Sequence, residues 1–160
     1  QKFKNKLKGF FQRRYEKTIK EIMSTTGLCE YKLTDVDEVI ESAEDAISPE
    51  LTGEAVLTVG STIDEIVDEV DGVIIIGPFG CMPHRVAESI LSESLEEEKL
   101  KITEKNNNQF TKEILDKFSS LPFLAIEADG SVFTQVIEAR IESFCLQVER
   151  VNEYKEKISV

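Results

Sequence analysis

Cysteine is scarce in this 160-residue chain: Cys29, Cys81 and Cys145 stand far apart and form no CxxC pair. That spacing excludes a disulfide framework and a self-contained zinc site, so each thiol is read singly. Histidine occurs once, at His84. No apolar run approaches the roughly 20 residues that span a bilayer, and the first residues lack the apolar core of a signal peptide. The expectation is a cytoplasmic protein with no membrane partner. Also missing are a GxxxxGK[ST] phosphate loop, a GxGxxG dinucleotide fingerprint, an HExxH zinc helix and a GxSxG nucleophile elbow, so no stand-alone enzyme is expected. Positive charge is short too: 19 Lys and Arg face 31 Asp and Glu, a net charge of -12 that repels nucleic acid.

What remains is an ordinary globular composition, 41% hydrophobic and 31% charged, enough for one domain with a sizeable core. The scarce cations are concentrated at the start. Lys2, Lys4, Lys6, Lys8, Arg13, Arg14, Lys17 and Lys20 precede residue 21 with only Glu16 against them. Phe3, Leu7, Phe10, Phe11, Tyr15, Ile19, Ile22 and Met23 recur among them at three- and four-residue steps, which predicts a long amphipathic helix ending near Gly27. This basic face suits an acidic partner or a phosphorylated ligand, although a solvated face complementing the acidic remainder explains it more simply. Because residue 1 is Gln and opens directly into this segment, the chain reads as a piece of a longer polypeptide. Residues 1–27 are then a basic helix leading in, and residues 28–160 an α/β body.

Within the body, Val36, Val39, Ile40, Ala43 and Ile47 share a helical face, and Ser48-Pro49 is expected to end that helix and start another. Residues 54–70 predict a helix, although the first half could be strand and Gly60 weakens the helix, since glycine costs about 1 kcal/mol in a helix interior. The apolar, β-branched run Gly72-Val73-Ile74-Ile75-Ile76-Gly77 predicts a buried parallel strand, stopped by the loop Pro78-Phe79-Gly80-Cys81-Met82-Pro83. Pro83 opens a helix bearing Val86, Ala87, Ile90, Leu91 and Leu95, with the run Glu96-Glu97-Glu98 and then Asn106-Asn107-Asn108 marking its end and a polar surface loop. A short helix over Phe110 to Phe118 leads to a second strand, Leu121 to Glu127. A last helix carries Phe133, Ile137, Ile141, Phe144, Val148 and Val151. Two strand-loop-helix units in succession imply neighbouring parallel strands whose loops open on one edge, where ligands of such sheets collect. The expected fold is α/β and helix-rich: a small, mainly parallel, three-layer Rossmann- or flavodoxin-like sheet with helices on both faces, incomplete if upstream strands lie outside the chain. An exposed sheet edge or helix face of such a piece would favour a homodimer.

Two motifs occur together: Gly77-Pro78-Phe79-Gly80-Cys81-Met82-Pro83 with Arg85-Val86-Ala87-Glu88, and Pro122-Phe123-Leu124-Ala125-Ile126-Glu127-Ala128-Asp129-Gly130 with Gln135 and Glu138-Ala139-Arg140-Ile141-Glu142-Ser143-Phe144. Their combination, spanning most of residues 28–151, resembles the C-terminal part of large fused proteins related to the activator and dehydratase components of the 2-hydroxyacyl-CoA dehydratase system, the CoA-substrate-specific enzyme activase-related family. The resemblance implies an oxygen-sensitive iron–sulfur protein that works with an ATP-driven activator passing a low-potential electron to a dehydratase or related reductase. It further implies that Cys81 corresponds to the last of three cysteines holding a cubane cluster, with the other two upstream. Gly77 and Gly80 then let the backbone approach the cluster, and the following helix contributes its positive end. Partners implied are other domains of the parent chain and a dehydratase or activator component. ATP and a CoA thioester enter only through those other parts. The alternative is a non-catalytic binding or assembly module that holds the phosphate of CoA or a nucleotide, or a partner protein.

The remaining polar candidates have plainer expectations. Cys29 and Cys145 sit in apolar contexts and are expected to pack in the core; His84 is expected to face solvent. Glu127 and Asp129 flank the second loop as a carboxylate pair, for which acid/base work is one reading. Pairing of Arg140 with Glu127 or Asp129 is the structural alternative and the preferred one. No catalytic residue is assigned.

Overall fold

The computed structural model describes residues 2–27, 31–51, 53–128, 130 and 134–159, with the side chains of residues 2–7 and 134 left out. Cys29, Asp129 and Phe133 lie outside the described residues. The chain divides into two compact units, Gln1–Asp35 and Val36–Val160.

In the first unit a single helix, α1 (Lys2–Ser24), follows the three- and four-residue spacing of its apolar positions. It closes through a turn in which Thr25 N–H donates to the Ile22 carbonyl, and Gly27 takes φ 72°, the left-handed conformation that suits a helix stop. Thr34 N–H donates to Glu16 Oε1 at 2.9 Å, tying the segment after the turn back to the helix. Phe10, Phe11, Tyr15, Ile19, Ile22 and Met23 are exposed. Among the described residues, no helix is long and apolar enough to cross a membrane.

The second unit runs α2 (Val36–Ala43), α3 (Ala55–Glu65), β1 (Val73–Pro78), α4 (Met82–Lys105), α5 (Gln109–Lys117), β2 (Phe123–Ala128) and α6 (Thr134–Ile158). It is a helix-rich α/β fold around a parallel pair, β1 and β2, in register from Val73 opposite Phe123 to Pro78 opposite Ala128. Side chains alternate along each strand. Ile75, Gly77 and Ala125 therefore face the core built with Ala87, Leu91 and Leu95 of α4, while Leu124 and Ile126 face the other way. The α6 helix packs on β2. Val39 and Ala43 of α2, Ile47 after it, and Val56, Val59 and Ile63 of α3 are also buried.

Gly60, expected to weaken the third segment as a helix, is what allows it to pack. A Cβ at that position would lie 2.0 Å from the Val39 carbonyl oxygen, so only glycine lets α2 and α3 approach backbone to backbone. Pro49 does not start a further helix. The segment turns there instead, with Leu51 N–H donating to the Ser48 carbonyl. The acidic run Glu96-Glu97-Glu98 does not end α4, which continues through it to Lys105 and stops at Asn106, where the asparagine run begins. Its charges are used: Glu96 Oε1 accepts from the Leu121 amide at 2.7 Å and so anchors the entry to β2, and Glu98 pairs with Lys101 at 2.8 Å.

One side chain joins these helices. Lys99 on α4 is fully buried, and its Nζ donates to the carbonyls of Ile63 (2.9 Å) and Asp64 (2.8 Å) and to Asp68 Oδ2 (2.6 Å). The two carbonyls belong to the last turn of α3, where intrahelical bonds leave oxygens open. Asp68 Oδ1 accepts from Asn108 Nδ2 at 3.1 Å and from the Thr111 hydroxyl. Asn108 in turn caps α5 through Oδ1 and the Thr111 amide at 3.2 Å. Within this knot buried Val67 holds φ 72°, a conformation that costs a β-branched residue about 1–3 kcal/mol, and its amide donates to the Val70 carbonyl at 2.8 Å.

Burial holds the Lys99 ammonium below its ordinary pKa of 10.5, against the opposing pull of Asp68. Between the lowered value and 10.5 the unfolded chain binds more protons than the folded one, so this group makes stability rise with pH across that window. Urea denaturation should show Lys99→Met destabilised by about 1–3 kcal/mol near neutral pH, because it takes the donor from the buried Ile63 carbonyl and from Asp68. The gap between native chain and variant should widen as pH approaches 10.5. A variant as stable as the native chain at every pH would contradict the assignment.

Candidate functional site

The carboxyl ends of β1 and β2 open on the same edge, as parallel neighbours must. The ladder continues one residue beyond the strand, where Phe79 N–H donates to the Ala128 carbonyl at 3.0 Å. The chain then reverses: Cys81 N–H donates to the Pro78 carbonyl at 3.1 Å, across a four-residue turn with Gly80 third at φ 74°. A turn with positive φ at its third residue favours glycine there. Cys81 emerges at the N-cap of α4 with extended backbone, its carbonyl accepting from the Arg85 amide at 3.0 Å. It is a half-buried free thiol, and its side chain makes no capping hydrogen bond. Pro83 occupies the first turn of α4, where the missing N–H costs nothing.

Beneath the turn is a cleft of about 240 Å³, lined by Glu54, Thr58, Ile76, Pro78, Cys81 and His84 among others. His84 does not face solvent as expected; it is 8% exposed. The cause is Gly77: a Cβ there would lie 2.4 Å from His84 Cγ, so the imidazole rests in the space that the missing side chain leaves. The Nε2 atom of His84 is buried and has no hydrogen-bond partner. Of the two glycines singled out in the sequence, Gly77 thus admits His84 to the strand, and Gly80, with open space around it, supplies the turn. The amides of Phe79 and Cys81 are already committed to carbonyls, while the first turn of α4 leaves those of Met82 and His84 without intrahelical partners.

The second motif is arranged differently from expectation. Arg140 does not reach Glu127; its Nη2 donates to the Ala125 carbonyl at 2.7 Å. Arg85 takes the carboxylate instead, with Nε 2.6 Å from Glu127 Oε1, an ionic contact off the N–H axis, and with Nη1 3.7 Å from Glu88. The reason is position. Arg85 lies one helical turn past Cys81 and overhangs the end of β2, whereas Arg140 lies beside the middle of that strand. Glu127 is therefore paired with a cation, and Asp129, its suggested acid/base companion, lies outside the described residues. Cys145 is exposed on α6 and takes no part in the core. Neither the burial of His84 nor the choice of Arg85 was signalled by spacing; both depend on which side of β1 and β2 the start of α4 passes.

Among the described residues, no three His, Cys, Asp or Glu side chains converge as a metal site. The site thus offers one thiol at a helix N-terminus, one buried imidazole, and the carboxylate of Glu54 near the mouth.

The close contact at Gly77 makes a sharp prediction. Gly77→Ala should cost about 1–3 kcal/mol through overpacking against His84 and should speed alkylation of Cys81 by iodoacetamide as the start of α4 shifts. Urea midpoints and alkylation rates, compared with the native chain, check both; an unchanged pair would refute the contact. Comparison with known proteins finds no matching family model, no matching curated protein and no matching solved structure.

Proposed function

We propose that Cys81 supplies one thiolate ligand to an iron–sulfur cluster completed by ligands from outside the described residues, in a system of the 2-hydroxyacyl-CoA dehydratase and activator kind. The observation that carries this reading is the placement of Cys81: a thiol with no capping bond, at the carboxyl edge of a parallel sheet and the N-cap of a 24-residue helix. Thiolate is the form of cysteine that binds iron. The resemblance of the Cys81 loop and of the Pro122 to Phe144 segment to that family supports the same assignment.

The fit is that of a single ligand. One thiolate cannot hold a cluster, and Cys145 lies on a different element with its thiol exposed. When bound, such a cluster supplies low-potential one-electron transfer, tuned by hydrogen bonds and burial around its sulfurs. The chain's own residues position the thiol: Gly80 turns the loop, the Phe79–Ala128 bond fixes its base, and His84 in the notch of Gly77 holds the first turn of α4 against β1. ATP and acyl-CoA chemistry belong to other domains or partners. The phosphate-binding alternative is less well supported, because Glu54 lines the cleft and Arg85 is engaged by Glu127 and Glu88.

Anaerobic iron and acid-labile sulfide analysis of the polypeptide that carries this chain, purified with Cys81→Ser or Cys145→Ser, tests the proposal. Cys81→Ser should lose the cluster's visible absorbance and most of its iron, and Cys145→Ser should retain both. Unchanged iron in Cys81→Ser would overturn it.

A further inference from the structure

The two outer edges of the sheet are treated differently. Val73 and Phe79 donate to the carbonyls of Pro122 and Ala128, so the odd-numbered residues of β1 turn their backbone groups toward β2. By the same alternation Ile74 and Ile76 turn their N–H and C=O groups away, toward the free edge of β1. On β2 it is Phe123, Ala125 and Glu127 that point outward, and the Ala125 carbonyl there is occupied by Arg140. A charged side chain set on an edge is a known way to block strand addition. Among the described residues, the edge of β1 has no such block before Pro78, which lacks an N–H.

The side chains on the open strand point the same way. Ile74 and Ile76 lie in register with Leu124 and Ile126 on one face of the sheet. Leu124 and Ile126 are both 7% exposed, whereas Ile74 is 39% and Ile76 70% exposed. The apolar face is therefore continuous across the two strands but covered only on the β2 side. Parallel sheets normally have both faces covered, and two strands alone are marginal.

We infer that the free edge of β1 accepts an added β-strand, an extended segment with apolar residues at alternate positions and cationic residues at its ends. The cationic ends follow from the charge of the unit: residues 36–160 hold 10 Lys and Arg against 27 Asp and Glu. That excess disfavours a second copy of the same acidic unit on this edge and favours a positively charged segment. Backbone pairing with the N–H and C=O groups of Ile74 and Ile76 gives the affinity, and the exposed isoleucines select apolar residues. Since Ile76 also lines the cleft under Cys81, the added strand would extend one wall of that cleft.

The test is amide hydrogen exchange resolved at Ile74, Ile75 and Ile76, with the mass in solution measured alongside. In the chain alone, Ile74 and Ile76 should exchange at least tenfold faster than Ile75. A synthetic peptide of alternating Val and Thr flanked by Lys should slow both by tenfold or more, and the same peptide flanked by Glu should not. Ile76→Lys and Ile76→Thr, on a side chain that carries little of the fold, should weaken the peptide's effect; Thr keeps the strand propensity if Lys perturbs it. Equal protection of all three amides in the monomer would overturn the inference, as would indifference to the Lys-flanked peptide. Protection that appears only with a dimer mass would also overturn it, by making a second copy the occupant. None of these outcomes depends on iron.

Discussion

A buried ammonium group holds the α/β unit together. Lys99 reaches from the middle of α4 to the last carbonyls of α3 and to Asp68, and Asp68 passes the connection to Asn108 and Thr111 at the start of α5. Three helices therefore meet at one charge. The segment between α3 and β1 must pass through this point with Val67 in a left-handed conformation, and the network over-determines a backbone that would otherwise relax. Farther on, Asp71 binds Lys155 at 2.5 Å and Asn152 at 3.0 Å, which ties α6 to the entry of β1. The strand that delivers Cys81 is thus positioned from its beginning by charges far from its end.

Much of this architecture is legible in the sequence because it is local. The β-branched run from Val73 to Ile76 and the Pro122 to Glu127 segment announce two strands, and the three- and four-residue spacing announces α1, α2, α4 and α6. What escapes is everything decided across the chain. Gly60 looks like a weak point until the carbonyl of Val39 is found against it. The Glu96 to Glu98 run looks like the end of a helix until Glu96 is found on the amide of Leu121, 25 residues away. Lys99 looks like any surface lysine, since nothing in its neighbours reveals that Asp68 and two carbonyls of α3 will surround it.

The candidate site divides along the same line. The turn at Cys81 is a local product of Gly80 and Pro83, and so it can be read from the residues themselves. The cleft beneath it is not, because its floor depends on His84 fitting the notch at Gly77 and its flank on Arg85 reaching Glu127. Arg85 and Arg140 exchange the roles that their distance from Glu127 along the chain would suggest. A helix following one strand and a helix following the other approach β2 from different directions, and direction is a property of packing.

The arginine on β2 has a consequence for how copies of this fold behave when crowded. Growth of a fibre by edge-to-edge pairing needs two open edges on every unit, one to join and one to be joined. With Arg140 seated on the Ala125 carbonyl, the β1 side alone is open among the described residues. Any strand that arrives there ends the series at a single step, so an exposed edge of this kind takes one strand and does not seed an open-ended polymer.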